Sequence, residues 1–280
     1  MVNRTSNIIN KIFSIVNRKI VNKMKNRINQ LFQDSPKNLL SIYFCAGCPT
    51  LEGTADVIRT LEKNGVDMIE IGIPFSDPMA DGIVIQNAAT RALRNGMSLR
   101  ILFEQLRDIR RDVHIPLILM GYLNPIMQFG FEAFCKQCTA YGIDGVIIPD
   151  LPFKDYEESY KAISQKYDIR VIMLITPETS EARIREIDAH TDGFIYMVSS
   201  TATTGAQRDF DAQKQAYFKK IQDMNLRNPR MVGFGISNKQ TFDAACANSS
   251  GAIIGSRFVS LLNETEGDAE KAIRQLKMEI

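Results

Sequence analysis

Val66-Asp67-Met68-Ile69-Glu70-Ile71-Gly72-Ile73-Pro74-Phe75-Ser76-Asp77-Pro78-Met79-Ala80-Asp81-Gly82 is the stretch on which the fold turns. Met68, Ile69, Ile71 and Ile73 make an almost continuous apolar run of strand length. Such a run suits a strand of a parallel sheet, buried on both faces. Glu70 interrupts it with a charge, and a buried carboxylate is costly unless it is used or paired. Pro74 ends the strand, and Ser76-Asp77-Pro78 and Ala80-Asp81-Gly82 are turn sequences in which Asp can bond nearby backbone. The stretch therefore reads as a carboxylate at the carboxyl end of a strand, followed by a loop carrying two more. Paired acids suit general acid–base work, because their surroundings can push the two pKa values apart. Turn caps at Asp77 and Asp81 with an ion pair at Glu70 explain the same residues, and spacing alone leaves both readings open.

Outward from this stretch the pattern alternates strand and helix to the end of the chain. Leu39 to Ala46 reads as a first strand, and Thr50 to Asn64 as a helix closed by Gly65, a favoured terminal residue. Beyond the second strand, Ile85 to Arg94 and Leu99 to Asp112 are helical and Pro116 to Met120 is a third strand. Phe131 to Tyr141 and Tyr156 to Lys166 read as helices flanking a fourth strand, Gly145 to Pro149. Strands five to eight fall at Arg170 to Ile175, Gly193 to Val198, Met231 to Gly233 and Gly251 to Gly255. Between them come helices capped by Ser180, from Asp211 to Met224, and from Lys239 to Ala247, and a helix closes the chain. Eight βα units with apolar strands mean one parallel sheet buried on both faces. A single α/β domain, a closed (β/α)8 or TIM barrel over residues 25–280, is the economical solution.

A chain of 280 residues with 45% hydrophobic content fits a barrel of this size. The net charge of +2 gives no global reason to expect nucleic acid, and no apolar stretch is long enough to span a bilayer. Cys45, Cys48, Cys135, Cys138 and Cys246 lie in apolar or helical contexts, which fits a reducing, cytoplasmic setting. Cys45-x-x-Cys48 and Cys135-x-x-Cys138 look like zinc half-sites, yet no His lies near either, so both read as structural thiols and no metal is expected. Residues 1–24 differ from the rest. They carry Arg4, Lys11, Arg18, Lys19 and Lys23 with no acid, and Ile9, Phe13, Val16 and Ile20 at helical spacing. A targeting or membrane-surface segment, an appended packing helix and a start codon set too early all fit this amphipathic basic extension. Met24 would be a natural start just before a short helix around Ile28 to Phe32.

Chemistry in such barrels sits at the carboxyl ends of the strands, and phosphate often binds after strands seven and eight. Gly233-Phe234-Gly235-Ile236-Ser237 follows strand seven, and Gly255-Ser256 follows strand eight and opens a helix. Glycines let backbone approach a phosphate, and amides at a helix start point partial positive charge at it. Arg257 reads either as added charge there or as a solvated first-turn residue.

Ile69 to Gly82 closely resembles the signature of the tryptophan synthase alpha subunit family. Ala46-Gly47-Cys48-Pro49, Tyr122-Leu123-Asn124-Pro125, Pro149-Asp150-Leu151-Pro152, Gly233 to Ser237 and Gly255-Ser256 match its other blocks in order. The resemblance implies a lyase that splits indole-3-glycerol phosphate into indole and glyceraldehyde 3-phosphate. It implies a beta-subunit partner in an α2β2 heterotetramer, with pyridoxal phosphate in the partner and no cofactor in this chain. Carried over by position, the catalytic acids are Glu70 and Asp81. The phosphate site is Gly205, Gly235, Gly255 and Ser256, and the substrate pocket Tyr43, Tyr122, Tyr196, Thr204 and Phe234. Tyr43 and Tyr122 also read as packing at the barrel rim.

Ser199-Ser200-Thr201-Ala202-Thr203-Thr204-Gly205 departs from the family's usual Ser-Arg-x-Gly-Val-Thr-Gly by lacking the Arg and the first Gly. Ile83 stands where Pro is common. The expectation is an isolated chain with low activity and an open lid, which a beta subunit closes. The alternatives are a non-catalytic subunit that activates a beta chain, and another phosphate-binding barrel enzyme such as indole-3-glycerol phosphate synthase or a phosphoribosyl isomerase. These last need a Lys or Asp on early or middle strands, and Ser41 to Cys45 of strand one, strand three and Val171 to Ile175 of strand five carry no charge.

Overall fold

Eight strands alternate with helices as the apolar runs require: β1 (Leu39–Cys45), β2 (Met68–Gly72), β3 (Leu117–Met120), β4 (Gly145–Ile147), β5 (Arg170–Ile175), β6 (Ile195–Val198), β7 (Arg230–Gly233) and β8 (Gly251–Ile254). In this computed structural model, which describes residues 26–199, 212–233 and 235–280, they pair in sequence order. All pairs are parallel, and β1 closes on β8 through Leu39–Gly251 and Ile42–Ile254. The expected single (β/α)8 barrel is what forms. The basic extension, residues 1–24, lies outside the described residues.

Alternation along each strand sorts the side chains into two cores. Leu40, Ile42, Phe44, Ile69, Ile71, Leu117, Leu119, Val171 and Ile175 face outward and bury themselves under the helices. Leu39, Met68, Ile118, Ile147, Ile172, Phe194, Tyr196, Met231 and Ile253 face inward and fill the lumen. Ser41, Tyr43 and Glu70 keep step with this inward set, since Ser41 pairs with Met68 and Tyr43 with Glu70. Glu70, the charge at the centre of an apolar strand, therefore points into the barrel.

The lumen is floored at its amino end by the helix Arg27–Asp34, whose Ile28 and Phe32 join the inner core. Phe32 meets Phe194 with ring centroids 5.6 Å apart. Asn26 caps the helix by accepting from the Ile28 N–H at 3.0 Å and donates to the carbonyls of Asp144 and Asp168, each at 2.9 Å. Buried Asp144 takes Arg27 at 2.9 Å, Arg110 at 2.7 Å and the Leu117 N–H at 3.0 Å, which locks the plug to β3 and β4. With that end sealed, the carboxyl ends of the strands are left for chemistry.

Three elements differ from the sequence expectation. Tyr122-Leu123-Asn124-Pro125 opens a helix, Leu123–Phe129, where the reading saw only a motif. Pro125 falls in its first turn, where a missing N–H is tolerated. The helix begun at Leu99 stops at Gln105, with a short 3-10 turn at Ile109–Arg111 beyond it. The single closing helix is two, Ser256–Glu264 and Ala269–Glu279, broken at left-handed Gly267 and restarted by an Asp268 cap on the Lys271 N–H. All five cysteines are free and buried, and no cluster of three metal-ligating side chains occurs among the described residues. No helix of the described residues is long and apolar enough to cross a membrane.

Candidate active site

Glu70 sits in the middle of β2, wholly buried, its neighbours in the sheet being Tyr43 on β1 and Ile118 on β3. Its Oε1 accepts a hydrogen bond from the Ser41 hydroxyl at 3.2 Å, while Oε2 is buried without a partner. Burial disfavours the charged form and raises the carboxyl to about 8, a rise that the Ser41 hydrogen bond partly opposes. Among the described residues no cation acts on Glu70, so the ion-pair reading finds no support there.

Asp81 comes from the loop after β2 and is half-buried. Tyr122, which precedes the helix Leu123–Phe129, fixes this loop with one hydroxyl. That hydroxyl accepts from the Ala80 N–H at 2.9 Å and donates to Asp81 Oδ2 at 3.1 Å. Gln86 adds a bond from its side-chain amide to the Asp81 carbonyl at 2.8 Å. Burial lifts the Asp81 carboxyl to about 6, and the Tyr122 hydrogen bond works against that rise. Tyr122 is itself steadied by Phe75, with ring centroids 5.4 Å apart, and by Asp150, which accepts from the Leu123 N–H at 2.8 Å. The rim-packing reading of Tyr122 thus misses a hydrogen-bonding role. Asp77 behaves as the turn residue of the plainer reading: it is exposed and bonded to the hydroxyl of Ser76 at 2.5 Å.

Tyr43 on β1 and Tyr196 on β6 lie close enough to Glu70 and Asp81 to feel their charge. Both phenols are raised well above their ordinary value, first by burial, then at Tyr43 by Cys45, Asp81, Tyr122 and Glu70 and at Tyr196 by Glu70 and Asp81. Two glycines make room for them. A Cβ at Gly72 would collide with the Tyr43 hydroxyl, and one at Gly233 would collide with the Tyr196 hydroxyl. The Tyr43 ring also lies alongside Gly255, whose Cβ position is 3.4 Å from it. Tyr43 therefore spans from Glu70 on β2 to the start of the helix after β8.

Gly255 is the N-cap of Ser256–Glu264 and the cap makes no side-chain hydrogen bond, so first-turn amides remain open to a ligand. Gly235, after β7, has φ +75°, a conformation glycine adopts freely, and stands near the Ser199 hydroxyl. Arg257 turns away and pairs with Glu279 at 2.5 Å and Glu264 at 3.3 Å. Its charge is therefore already engaged by two carboxylates, while the side chain stays partly exposed. Gly205, Thr204 and Phe234, the other expected site residues, lie outside the described residues. The sequence reading passed over Ser41 as one more residue of an uncharged strand. Its spacing of two from Tyr43 was the signal that it shares the lumen face.

A closed parallel barrel that carries two carboxyls of different acidity, one in its lumen and one on the loop after β2, has the architecture of the (β/α)8 enzymes. The family model described as tryptophan synthase alpha chain matches residues 29–280, and the chain belongs to that family. It is 79% identical over 252 residues to a tryptophan synthase alpha chain of Bacteroides fragilis, covering 90% of this chain and 95% of that one. Among solved structures it resembles the tryptophan synthase alpha subunit of Legionella pneumophila with a TM-score of 0.79 at 33% identity, over 90% of this chain and 98% of that one. It also resembles a chain of a tryptophan synthase complex from Pyrococcus furiosus with a TM-score of 0.77 at 31% identity, over 87% and 96% of the two chains.

Proposed function

We infer that the chain is the lyase subunit that cleaves indole-3-glycerol phosphate to indole and glyceraldehyde 3-phosphate, with Glu70 and Asp81 as its catalytic pair. One observation carries the roles: burial separates the two carboxyls, raising Glu70 to about 8 and Asp81 to about 6. Near pH 7 the first then holds a proton and the second is ionised, which is the pairing a retro-aldol cleavage needs.

Glu70 delivers its proton to C3 of the indole ring, and the positive charge this creates spreads to the ring nitrogen. Ionised Asp81 accepts a hydrogen bond from that N–H and stabilises the charge in a partly dry site. The Glu70 carboxylate then takes the proton of the hydroxyl on the carbon attached to C3. As it does so, the carbon–carbon bond breaks and its electron pair returns to the ring. Indole and the aldehyde leave, and Glu70 is again protonated, so no net proton is consumed.

The phosphate is assigned to the amides of Gly235, Gly255 and Ser256 with the Ser256 hydroxyl, and to Gly205. The absence of a side-chain cap at Gly255 and the diversion of Arg257 into ion pairs support a site made of backbone rather than of cations. The indole ring is assigned to the space between Tyr43, Tyr122 and Tyr196, with Thr204 and Phe234 completing the pocket. A beta subunit carrying pyridoxal phosphate, in an α2β2 heterotetramer, is the proposed partner, and the complex from Pyrococcus furiosus supports it. Five free, buried thiols favour a cytoplasmic setting. A merely activating subunit is disfavoured, because such a role gives no reason to hold an unpaired carboxyl at the centre of a barrel. The test is indole release from indole-3-glycerol phosphate by the purified chain, alone and with increasing beta subunit. Indole release that rises with the partner supports the account, and no release in either condition refutes it.

A further inference from the structure

Among the described residues, one hydroxyl in the lumen makes a hydrogen bond to Glu70. Ser41 is wholly buried on β1, in register with Met68 on β2 and Ile253 on β8, and so lies one inward position below the Tyr43–Glu70 pair. Its Oγ is the group that reaches Glu70, at Oε1 and 3.2 Å, while Oε2 has no partner. The two carboxyl oxygens are therefore not equivalent: one is tethered to the barrel wall and the other is unclaimed.

We propose that Ser41 is a positioning residue for the cleavage, whose hydroxyl holds Glu70 by Oε1 in both of its protonation states and leaves Oε2 as the oxygen that exchanges protons with the substrate. This rests on the assignment of Glu70 as the acid. A hydroxyl suits the task because it donates a hydrogen bond without carrying a charge. It donates to Oε1 of the carboxylate formed when the proton goes to indole C3, and to the same oxygen, then the acid's carbonyl, when the proton returns to Oε2. A methyl group could do neither, and a cation in its place would keep Glu70 ionised and spoil it as an acid. The other titratable groups facing Glu70 are phenols, Tyr43 on β1 and Tyr196 on β6, both raised well above the ordinary range and so neutral near pH 7. Asp81, from the loop after β2, acts on both phenols but is not among the groups that act on Glu70. Ile118 on β3 and Ile253 on β8 offer it nothing polar. Among the described residues Ser41 is thus the one lever on Glu70 other than burial.

Removing the hydroxyl should destabilise the ionised form and let the carboxyl turn. Ser41→Ala should move the basic limb of the kcat/KM profile up by about one pH unit, the scale of one hydrogen bond to a charged group. It should also lower kcat roughly tenfold through lost orientation, with KM nearly unchanged. The control is the isosteric pair Ser41→Thr and Ser41→Val, which separates hydroxyl from volume and serves equally if the alanine variant does not fold. Threonine should restore both limb and rate, and valine should behave as alanine does. Infrared titration of the protonated Glu70 carboxyl without substrate, with Glu70→Gln to assign the band, reads the same shift independently of turnover. A shift in that titration with no indole release from the parent chain would fault the lyase assignment and leave the Ser41–Glu70 coupling standing. Equal limbs and equal infrared midpoints for serine, threonine and valine would overturn the proposal. So would a loss of rate that threonine and valine share.

Discussion

Glu70→Gln should abolish indole release and, at the same time, make the protein more stable as the pH rises. The carboxyl titrates at about 8 in the fold against 4.5 in an exposed setting, and burial is the cause. A group whose folded value is raised in this way is neutral in both states below pH 4.5, so it has no effect on stability there. Between 4.5 and 8 the unfolded chain gives up the proton and the folded chain keeps it, so stability falls with pH, and above 8 the loss is complete. With 1.36 kcal/mol per unit, the loss grows by about 3–4 kcal/mol between pH 5 and pH 8. Glutamine has nearly the same shape and no such titration. The difference in melting temperature between variant and parent should therefore widen by about 6–16 °C over that interval, at about 2–4 °C per kcal/mol for a domain of this length. The unpartnered amide that glutamine leaves in the lumen adds a constant offset of about 1–3 kcal/mol, which the comparison across pH removes. Calorimetry of both proteins at several pH values is the assay. A difference that stays flat from pH 5 to pH 8 would refute the claim that Glu70 is a buried acid without a charge partner.

The other acids should separate cleanly. Asp81→Asn should lower kcat by about 10²–10³-fold with little change in KM, as expected for lost stabilisation of a developing charge, whereas Asp77→Asn should stay within twofold of the parent, since the Asp77 side chain is exposed and bonded to Ser76. Steady-state indole release compares the two, and a larger effect at Asp77 would reverse the assignment within the loop. Inorganic phosphate should raise the melting temperature, by about 2.7 kcal/mol of stability at a hundredfold excess over its dissociation constant. Ser256→Ala should weaken that effect and raise KM for the phosphorylated substrate, and an unchanged response would place the phosphate elsewhere. A chain beginning at Met24 should fold and turn over as the full chain does, while Phe32→Ala in the floor of the barrel should cost about 3–5 kcal/mol in denaturant unfolding. Loss of solubility on the truncation would show instead that residues 1–23 cover part of the barrel.

The barrel was legible because its strands announce themselves. Apolar runs such as Val171 to Ile175 and Leu117 to Met120 have no polar face, and a sheet made of such strands must be covered on both sides. Helix ends were less so. Pro125 looks like a break but sits in a first turn, and Gly267 looks like one more glycine until its left-handed φ of +92° splits the closing helix. At the site, the sequence placed Glu70 on a strand and Asp81 on a loop, and the resemblance implied a protonated Glu70 and an ionised Asp81 without giving the physical cause of the difference. That difference comes from the lumen, where distant residues desolvate Glu70 and only Ser41 opposes them. Arg257 was open between added charge for phosphate and a solvated first-turn residue, and its ion pair was not legible, because the second half of a broken helix brings Glu279 back to it.

The central claim is that one fold holds two carboxyls in opposite protonation states at neutral pH, and the pH dependence of kcat/KM for indole release tests it most directly. The account predicts a bell, rising through about 6 as Asp81 ionises and falling through about 8 as Glu70 loses its proton. A rate that keeps climbing to pH 9 would contradict it, because the acid that must protonate the ring would then be absent where catalysis is fastest.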